Sequence, residues 1–164
     1  MIAACELAPP PTDTAPVRLP PSVSRIRSAG STSRRTRMNG PSGGAGKALG
    51  AAATVDLPAL EQALEAALAG VHQLGAAREG DKTMVDALAP ATRAFGKAIA
   101  EGASAAGALS ALADAAAAGA AATVSMQARK GRASYLGPRS VGHEDPGAAS
   151  TALILAALRD VVAR

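Results

Sequence analysis

The 164-residue sequence has very few aromatic side chains. It contains no Trp, one Tyr (Tyr135) and one Phe (Phe95), although 48% of its residues are hydrophobic. Ala dominates the hydrophobic fraction after Gly46, so a core must be built from Leu, Val, Ile, Met and closely packed Ala. Because Ala has the best intrinsic helix propensity and β-branched residues are scarce, this composition predicts an all-α fold.

The sequence also lacks the usual features of secreted and membrane proteins. Cys5 is the single cysteine, which rules out an internal disulfide and favours a reducing compartment. The longest apolar run, Ala115–Val124, is too short to cross a bilayer. Pro9, Pro10 and Pro11 interrupt any signal-peptide core. We therefore expect a cytoplasmic protein with no membrane partner.

The net charge of +4 is distributed unevenly along the chain. Residues 1–47 carry seven Arg or Lys against two acidic residues, whereas residues 48–164 carry ten against eleven. The basic N-terminal part is rich in Pro, Ser and Arg and has hardly any hydrophobic periodicity, which predicts disorder for residues 1–45. Residues 46–164 are predicted to form the folded domain. Since this domain is about neutral and stacking aromatics are scarce, we expect no nucleic-acid partner.

Hydrophobic spacing and capping residues predict four helices in the folded part. The first follows Asp56, a typical N-cap, and is expected to stop at Gly75. The second starts at Asp81 or Thr83, with Pro90 kinking it or dividing it in two. The last begins at Pro146, directly after a capping aspartate. The four predicted ranges are 56–75, 81–99, 104–129 and 146–163.

A polar segment, Ala128–Ser150, separates the last two predicted helices and contains Arg129, Lys130 and Arg132. Together with several glycines and a capped helix start, these cations indicate a phosphate-containing ligand. They would equally well complement the C-terminal end of the third helix. His143 is interpreted as a loop histidine bonded to nearby backbone rather than as a phosphoryl acceptor, because no second His or Cys lies close in sequence.

Two aspartates near the start of the second predicted helix could suggest a metal pair. Asp81 and Asp86 are five residues apart, which places them on different faces of a helix. We interpret them as a helix cap and a surface or supporting group. Met84, between them, is expected to face inward.

A resemblance to a known family rests on two blocks of sequence. The first is Gly80–Pro90, G-D-K-T-M-V-D-A-L-A-P, and the second is Met126–Ser150, M-Q-A-R-K-G-R-A-S-Y-L-G-P-R-S-V-G-H-E-D-P-G-A-A-S. They are similar to the L subunit, or nucleotide-binding domain, of dihydroxyacetone kinases, and the likeness extends from about Gly46 to the end of the chain. It implies an antiparallel barrel or bundle of helices that holds ADP or ATP with Mg²⁺ at one end.

The resemblance also implies a reaction and partners. ADP or ATP takes part in phosphoryl transfer to dihydroxyacetone, which is held on a separate K subunit. In phosphotransferase-system versions a phosphocarrier phosphorylates the bound ADP. The nucleotide contacts implied for this sequence are Gly75, Met84, Arg132, Asp145, Pro146 and Gly147.

One part of the family pattern is missing from the sequence. The magnesium-binding Gly-Asp-Gly-Asp cluster has no counterpart in residues 1–37, where Asp13 is the only aspartate. We therefore expect an N-terminally incomplete domain that lacks its first helices and its metal ligands, and whose activity as an enzyme is open. The alternative is a catalytically inactive fragment or a partner-binding helical module.

Overall fold

The computed structural model describes residues 17–18, 41–50, 52 and 54–162, and most of this part is helical. Two short 3-10 segments, Thr123–Ser125 and Arg132–Ser140, precede the last helix. The two-residue strands β1 (Val17–Arg18) and β2 (Thr54–Val55) pair in antiparallel fashion. The all-α prediction is confirmed. The α-helices are α1 Pro41–Leu49, α2 Leu57–Gly75, α3 Val85–Ala100, α4 Ala105–Ala122 and α5 Pro146–Val162.

The helices form an antiparallel bundle with α4 packed between α3 and α5. Helix α3 also contacts α2 and α5, and α1 packs on α2. The starts of α2 and α4 and the end of α5 line one apolar cavity. The end of α4 meets the starts of α3 and α5 at the other end of the bundle. Successive helices from α2 to α5 therefore alternate in direction, and the loops that resemble the kinase family lie at one end.

Helix α2 begins as its sequence predicts. The Asp56 carboxylate accepts a hydrogen bond from the N–H of Ala59 at 2.8 Å, which satisfies a backbone donor of the first turn. The end differs in detail, because Gly75 is still helical and Ala76 takes the left-handed conformation, with φ of 47°. The helix nevertheless ends at Gly75, the last residue of the predicted range. The Ala76 N–H donates to the carbonyl of His72 and closes the last turn.

Helix α3 begins later than predicted, at Val85, because residues 80–84 form a turn. Pro90 does not divide the helix. Proline has no N–H to offer the carbonyl of Asp86, four residues earlier, and Gly119 of α4 lies directly against that carbonyl. A Cβ atom at position 119 would overlap with the Asp86 oxygen. The glycine therefore permits the close approach of α3 and α4.

Helix α4 starts after Ser104, whose hydroxyl accepts from the N–H of Gly107 at 3.2 Å. It ends at Ala122 and is followed by one 3-10 turn, so the predicted extension to Arg129 was wrong. The span Ala105–Ser125 is long and apolar enough to cross a membrane by length and composition alone. One such helix is weak evidence for a membrane span, since a core helix of a bundle meets the same criteria.

The core is built mainly from small and aliphatic residues, as the composition requires. Phe95 is its one buried aromatic residue within the described part, and it is fully buried with Val85, Leu109 and Leu112. Helix α1 begins at Pro41, so the helical structure starts before the boundary predicted at Gly46. The disorder predicted for the N-terminal part concerns residues that, over 1–16 and 19–40, lie outside the described residues.

Candidate functional site

Buried polar side chains collect at the end of the bundle where α4 finishes and α3 and α5 begin. Elsewhere, Thr92 and Thr151 are buried, but each donates its hydroxyl hydrogen to a carbonyl of its own helix. The groups at this end instead connect different segments. We call this region the polar end; its buried members are Lys82, Asp86, Thr123, Ser140 and Asp145.

The turn before α3 is shaped by the carboxylate of Asp86. One of its oxygens accepts from the N–H of Gly80 at 2.5 Å and the other from the N–H of Thr83 at 2.7 Å. The turn places Lys82 in the left-handed region, with φ of 60°. Asp86 is only 5% exposed, so of the two predicted alternatives, a surface group and a supporting group, the structure favours the supporting group. Asp81, the predicted cap, accepts from the N–H of Arg78.

The side chain of Lys82 is 2% exposed, and its ammonium donates to four backbone carbonyls. Because an ammonium has three hydrogens, at least one hydrogen is shared between two oxygens. No carboxylate of the described residues lies within 4.0 Å of this nitrogen. The charge is therefore stabilised by backbone dipoles. The distances from Nζ are 2.8 Å to Thr123, 3.0 Å to Met126, 2.7 Å to Ser140 and 2.6 Å to His143.

The basic part of the loop lies between the Met126 and Ser140 carbonyls and is anchored through its backbone. The N–H of Arg129 donates to the carbonyl of Asp81 at 3.0 Å, and the N–H of Ala128 donates to the hydroxyl of Ser140 at 2.9 Å. We call residues 129–139 the basic segment. Its cations, Arg129, Lys130, Arg132 and Arg139, are all exposed, and Tyr135 is 90% exposed.

The interpretation that Arg129, Lys130 and Arg132 complement the end of the third helix was wrong. Helix α4 ends at Ala122, and the ammonium that contacts the carbonyls just beyond it belongs to Lys82. The exposed cations of the basic segment are thus free of that role.

The start of α5 adjoins the start of α3. The Asp145 carboxylate accepts from the N–H of Ala148 at 2.8 Å, which confirms the predicted cap, and the Asp145 N–H donates to the Thr123 hydroxyl at 2.9 Å. A Cβ atom at Gly147 would lie 3.4 Å from the backbone nitrogen of Met84 and 2.9 Å from the Asp145 carboxylate. Met84 packs partly buried against the core, as predicted. Gly147 therefore allows the two helix starts to meet.

The structure brings together four of the six residues implied as nucleotide contacts: Met84, Asp145, Pro146 and Gly147. Gly75 lies at the exposed end of α2, and Arg132 is the exposed first residue of the longer 3-10 segment. Within the described residues, no hydrogen bond or ion pair links either of them to the Asp145–Gly147 turn.

Sequence reasoning missed Lys82. Local spacing does not distinguish a buried lysine from an exposed one. The available signal was its place inside the Gly80–Pro90 block, two residues before Met84, which was expected to bind the nucleotide.

An exposed ion pair borders the polar end. Arg93 of α3 donates to both carboxylate oxygens of Glu79, at 2.6 and 2.8 Å. This hydrogen bond lowers the pKa of Glu79 below its ordinary value of 4.5, and partial burial opposes the shift. The same bond raises the pKa of Arg93. The pair fixes the turn before Gly80 to the body of α3.

The described residues do not fit a magnesium site. They hold no group of three or more His, Cys, Asp or Glu side chains that could bind a metal ion. The two buried carboxylates at the polar end, Asp86 and Asp145, already accept hydrogen bonds from backbone N–H groups. What this end offers is a set of exposed cations beside a capped helix start and a partly buried methionine.

Comparison with known proteins places this arrangement in a family context. The family model of the DAK2 domain matches residues 43–160. Over 86 residues, or 52% of this chain and 41% of the relative, the sequence is 43% identical to the ADP-binding subunit DhaL of PEP-dependent dihydroxyacetone kinase from Escherichia coli.

Two further relatives extend the comparison. The ADP-binding subunit DhaL of PEP-dependent dihydroxyacetone kinase 1 from Listeria innocua is 36% identical over 105 residues, covering 64% of this chain and 48% of that protein. Triokinase/FMN cyclase from mouse is 36% identical over 110 residues, covering 67% of this chain and 19% of that protein. The chain therefore spans less than half the length of these relatives.

Proposed function

The chain belongs to the DAK2 domain family, and on this premise we propose that it is an ADP- or ATP-binding component of a dihydroxyacetone kinase. The observation that carries the proposal is the meeting of Met84 with the Asp145–Gly147 turn, at the end of the bundle where the basic segment is anchored through its backbone. The relatives named as ADP-binding subunits favour this function over a partner-binding helical module.

Each part of the polar end suits one part of a nucleotide. The methionine side chain is an apolar, adaptable surface for an adenine ring. The start of α5 carries the positive end of the helix dipole, which favours negative charge. Gly147 lets the start of α5 lie against Met84, and Arg132 can offer a planar cation to phosphate oxygens. We propose these residues, with Gly75 and Pro146, as the nucleotide contacts.

The reaction and its partners belong to the same proposal. The whole reaction needs components that this chain does not contribute in the described residues, so we propose a dihydroxyacetone-binding K subunit as its partner. A phosphotransferase-system phosphocarrier is the proposed phosphate donor where bound ADP is the cofactor, and the proposed location is the cytoplasm. Phosphoryl transfer depends on metal ions that neutralise developing charge. In this proposal the described residues bind the nucleotide, and they contain no group of three or more His, Cys, Asp or Glu side chains that could hold that metal.

Calorimetric titration with ADP tests the proposal. We expect the wild-type chain to bind ADP and Arg132→Ala to weaken binding by about tenfold, because a charge-assisted hydrogen bond to phosphate is removed. Arg159→Ala is the matched control: it removes the same charge from the C-terminal half of α5, far from the turn. Absence of binding at millimolar ADP, or equal losses in both variants, would contradict the proposed function.

A further inference from the structure

Lys82 is buried between several segments that contribute to the proposed nucleotide site. It precedes Met84 by two residues, and its ammonium holds the carbonyl of His143, two residues before the Asp145 cap. The carbonyls of Met126 and Ser140, which the same ammonium also holds, lie on either side of the basic segment. This side chain therefore joins the turn before α3 to both flanks of the basic segment and to the residues before the Asp145 cap, alongside the backbone and hydroxyl hydrogen bonds between the same segments.

The bonding is directional. In a trans peptide the C=O and the following N–H point in opposite directions, so a carbonyl held by the ammonium fixes the orientation of its whole peptide unit. Four peptides, two before the basic segment and two after it, are oriented in this way around Nζ. Asp86 supports the arrangement from the other side, because it closes the turn that holds Lys82 in its left-handed conformation.

Stability alone does not account for a buried ammonium at this place. Removing a cation from water costs free energy that hydrogen bonds only partly return, and an apolar side chain of similar size often stabilises a core as well. What the ammonium adds is one defined arrangement of carbonyls that would otherwise repel each other.

We propose that Lys82 is a positioning residue of the nucleotide site. Its ammonium sets the relative placement of Met84, the Asp145–Gly147 turn and the basic segment, and it does not itself contact the nucleotide. This inference rests on the proposed function for its ligand, but the hydrogen bonds of the Lys82 ammonium can be measured without nucleotide.

The first measurement uses the wild-type chain. NMR of the lysine ammonium groups should show slow hydrogen exchange for Lys82 and fast exchange for Lys97 and Lys130, which are exposed. Scalar coupling across the hydrogen bonds should connect its Nζ to carbonyl carbons of the loop. An ammonium of Lys82 that exchanges as fast as that of Lys97 would overturn the proposal, whatever the behaviour of any variant.

The second measurement compares Lys82→Met with Thr92→Val. The methionine keeps an unbranched chain but has no donor, whereas Thr92→Val removes a buried hydrogen bond within α3 alone. In Lys82→Met the amides of Ala128, Arg129 and Gly142, which are bonded across the loop, should exchange at least about tenfold faster, and ADP affinity should fall by a similar factor. Thr92→Val should change neither. Unchanged loop exchange and ADP affinity in Lys82→Met would refute the positioning role.

Chemical rescue covers the case of a variant that fails to fold. Lys82→Ala leaves space for n-propylammonium, which restores the missing methylenes and the three donors, whereas tetramethylammonium adds the same charge without any N–H group. We expect n-propylammonium to restore loop protection and ADP affinity, and tetramethylammonium to leave both unchanged. Lack of rescue, or equal rescue by both salts, would count against the proposal.

The experiment also distinguishes the two proposals. Suppose that the Lys82 ammonium of the wild-type chain exchanges slowly and that n-propylammonium restores loop protection in Lys82→Ala, but that the wild-type chain binds no ADP. The positioning of the loop by Lys82 then stands and the nucleotide function fails. If the wild-type chain and Lys82→Met bind ADP with the same affinity, the nucleotide function stands and the positioning role fails.

Discussion

The two ends of the helical bundle are filled by different chemistry. At the polar end, buried charges and hydroxyls join separate segments through hydrogen bonds such as those of Lys82 and Asp86. At the other end the described residues enclose a cavity of about 260 Å³ with an almost wholly apolar lining. Six of the residues that line this apolar end are Ala45, Leu49, Leu57, Leu60, Leu109 and Leu158.

Because the two ends are filled by different contacts, we expect them to differ in what they contribute to stability and to ligand binding. Apolar contacts have no preferred direction, so an apolar end can rearrange while keeping most of its buried area. A buried donor or acceptor, in contrast, needs a partner in one direction, and leaving it unpaired is costly. We therefore expect changes at the polar end to affect both stability and ligand binding, and changes at the apolar end to affect stability alone.

The largest expected effect follows from Asp86→Ala. The substitution leaves the N–H groups of Gly80 and Thr83 without their acceptor and releases the turn that carries Lys82. Two charge-assisted hydrogen bonds in a buried place suggest a loss of about 3 kcal/mol in the free energy of unfolding. Chemical denaturation would measure it, and ADP affinity should fall in parallel.

Asp81→Ala is the matched control for this prediction. Asp81 also accepts from a backbone N–H in the same turn, but that bond is exposed. Its loss should cost about 1 kcal/mol or less. Equal destabilisation by the two substitutions would show that the buried hydrogen bonds of Asp86 contribute no more to stability than the exposed hydrogen bond of Asp81.

A smaller effect of opposite sign is expected at the apolar end. Ala45 of α1 lines the cavity, and Ala45→Leu should fill part of it and raise the free energy of unfolding by about 1 kcal/mol. Thermal denaturation would measure this as a rise of a few degrees in Tm. Ala48→Leu, at an exposed position of the same helix, should give no gain. A change in ADP affinity in Ala45→Leu would contradict the separation between the two ends.

The helices were predictable because their signals are local. The cap at Asp56, the Asp145-Pro146 start and the spacing of aliphatic residues all act within a few positions of one another. The errors concern places where contacts between helices determine whether a helix continues and how closely two helices pack. Pro90 stays inside α3, and Gly119 allows α4 to pack against the carbonyl of Asp86. Positions 90 and 119 are far apart in sequence, so no local pattern predicts that they act together.

The candidate site was predictable only in part, for the same reason. The basic segment and the capped turn are visible as composition and as a resemblance to a family. The burial of Lys82 depends on carbonyls contributed by residues from 123 to 143, so no local pattern could reveal it. The early end of α4 is linked to the burial of Lys82, because the carbonyls of Thr123 and Met126, just beyond the helix, accept hydrogen bonds from its ammonium.

The smallest expected effect concerns the ion pair of Glu79 with Arg93, which provides an exposed counterpart to the buried groups nearby. Its side chains are 48% and 63% exposed, so solvent screens the attraction and Glu79→Gln should cost at most about 1 kcal/mol near neutral pH. The pKa of Glu79 is lowered in the folded chain, mainly by the hydrogen bond from Arg93. Its contribution to stability is therefore present above the ordinary pKa of 4.5 and is lost as the pH falls through the lower folded value.

Denaturation of wild type and Glu79→Gln across the acid range measures this contribution. The two stability curves should differ at neutral pH and converge in acid, and added salt should reduce the neutral difference because the pair is exposed. The double variant with Arg93→Gln should show that the carboxylate contributes nothing once its partner is gone. A salt-independent difference of several kcal/mol would mean that Glu79 belongs with the buried groups of the polar end, and that this end extends further toward the surface than Lys82 and Asp86 indicate.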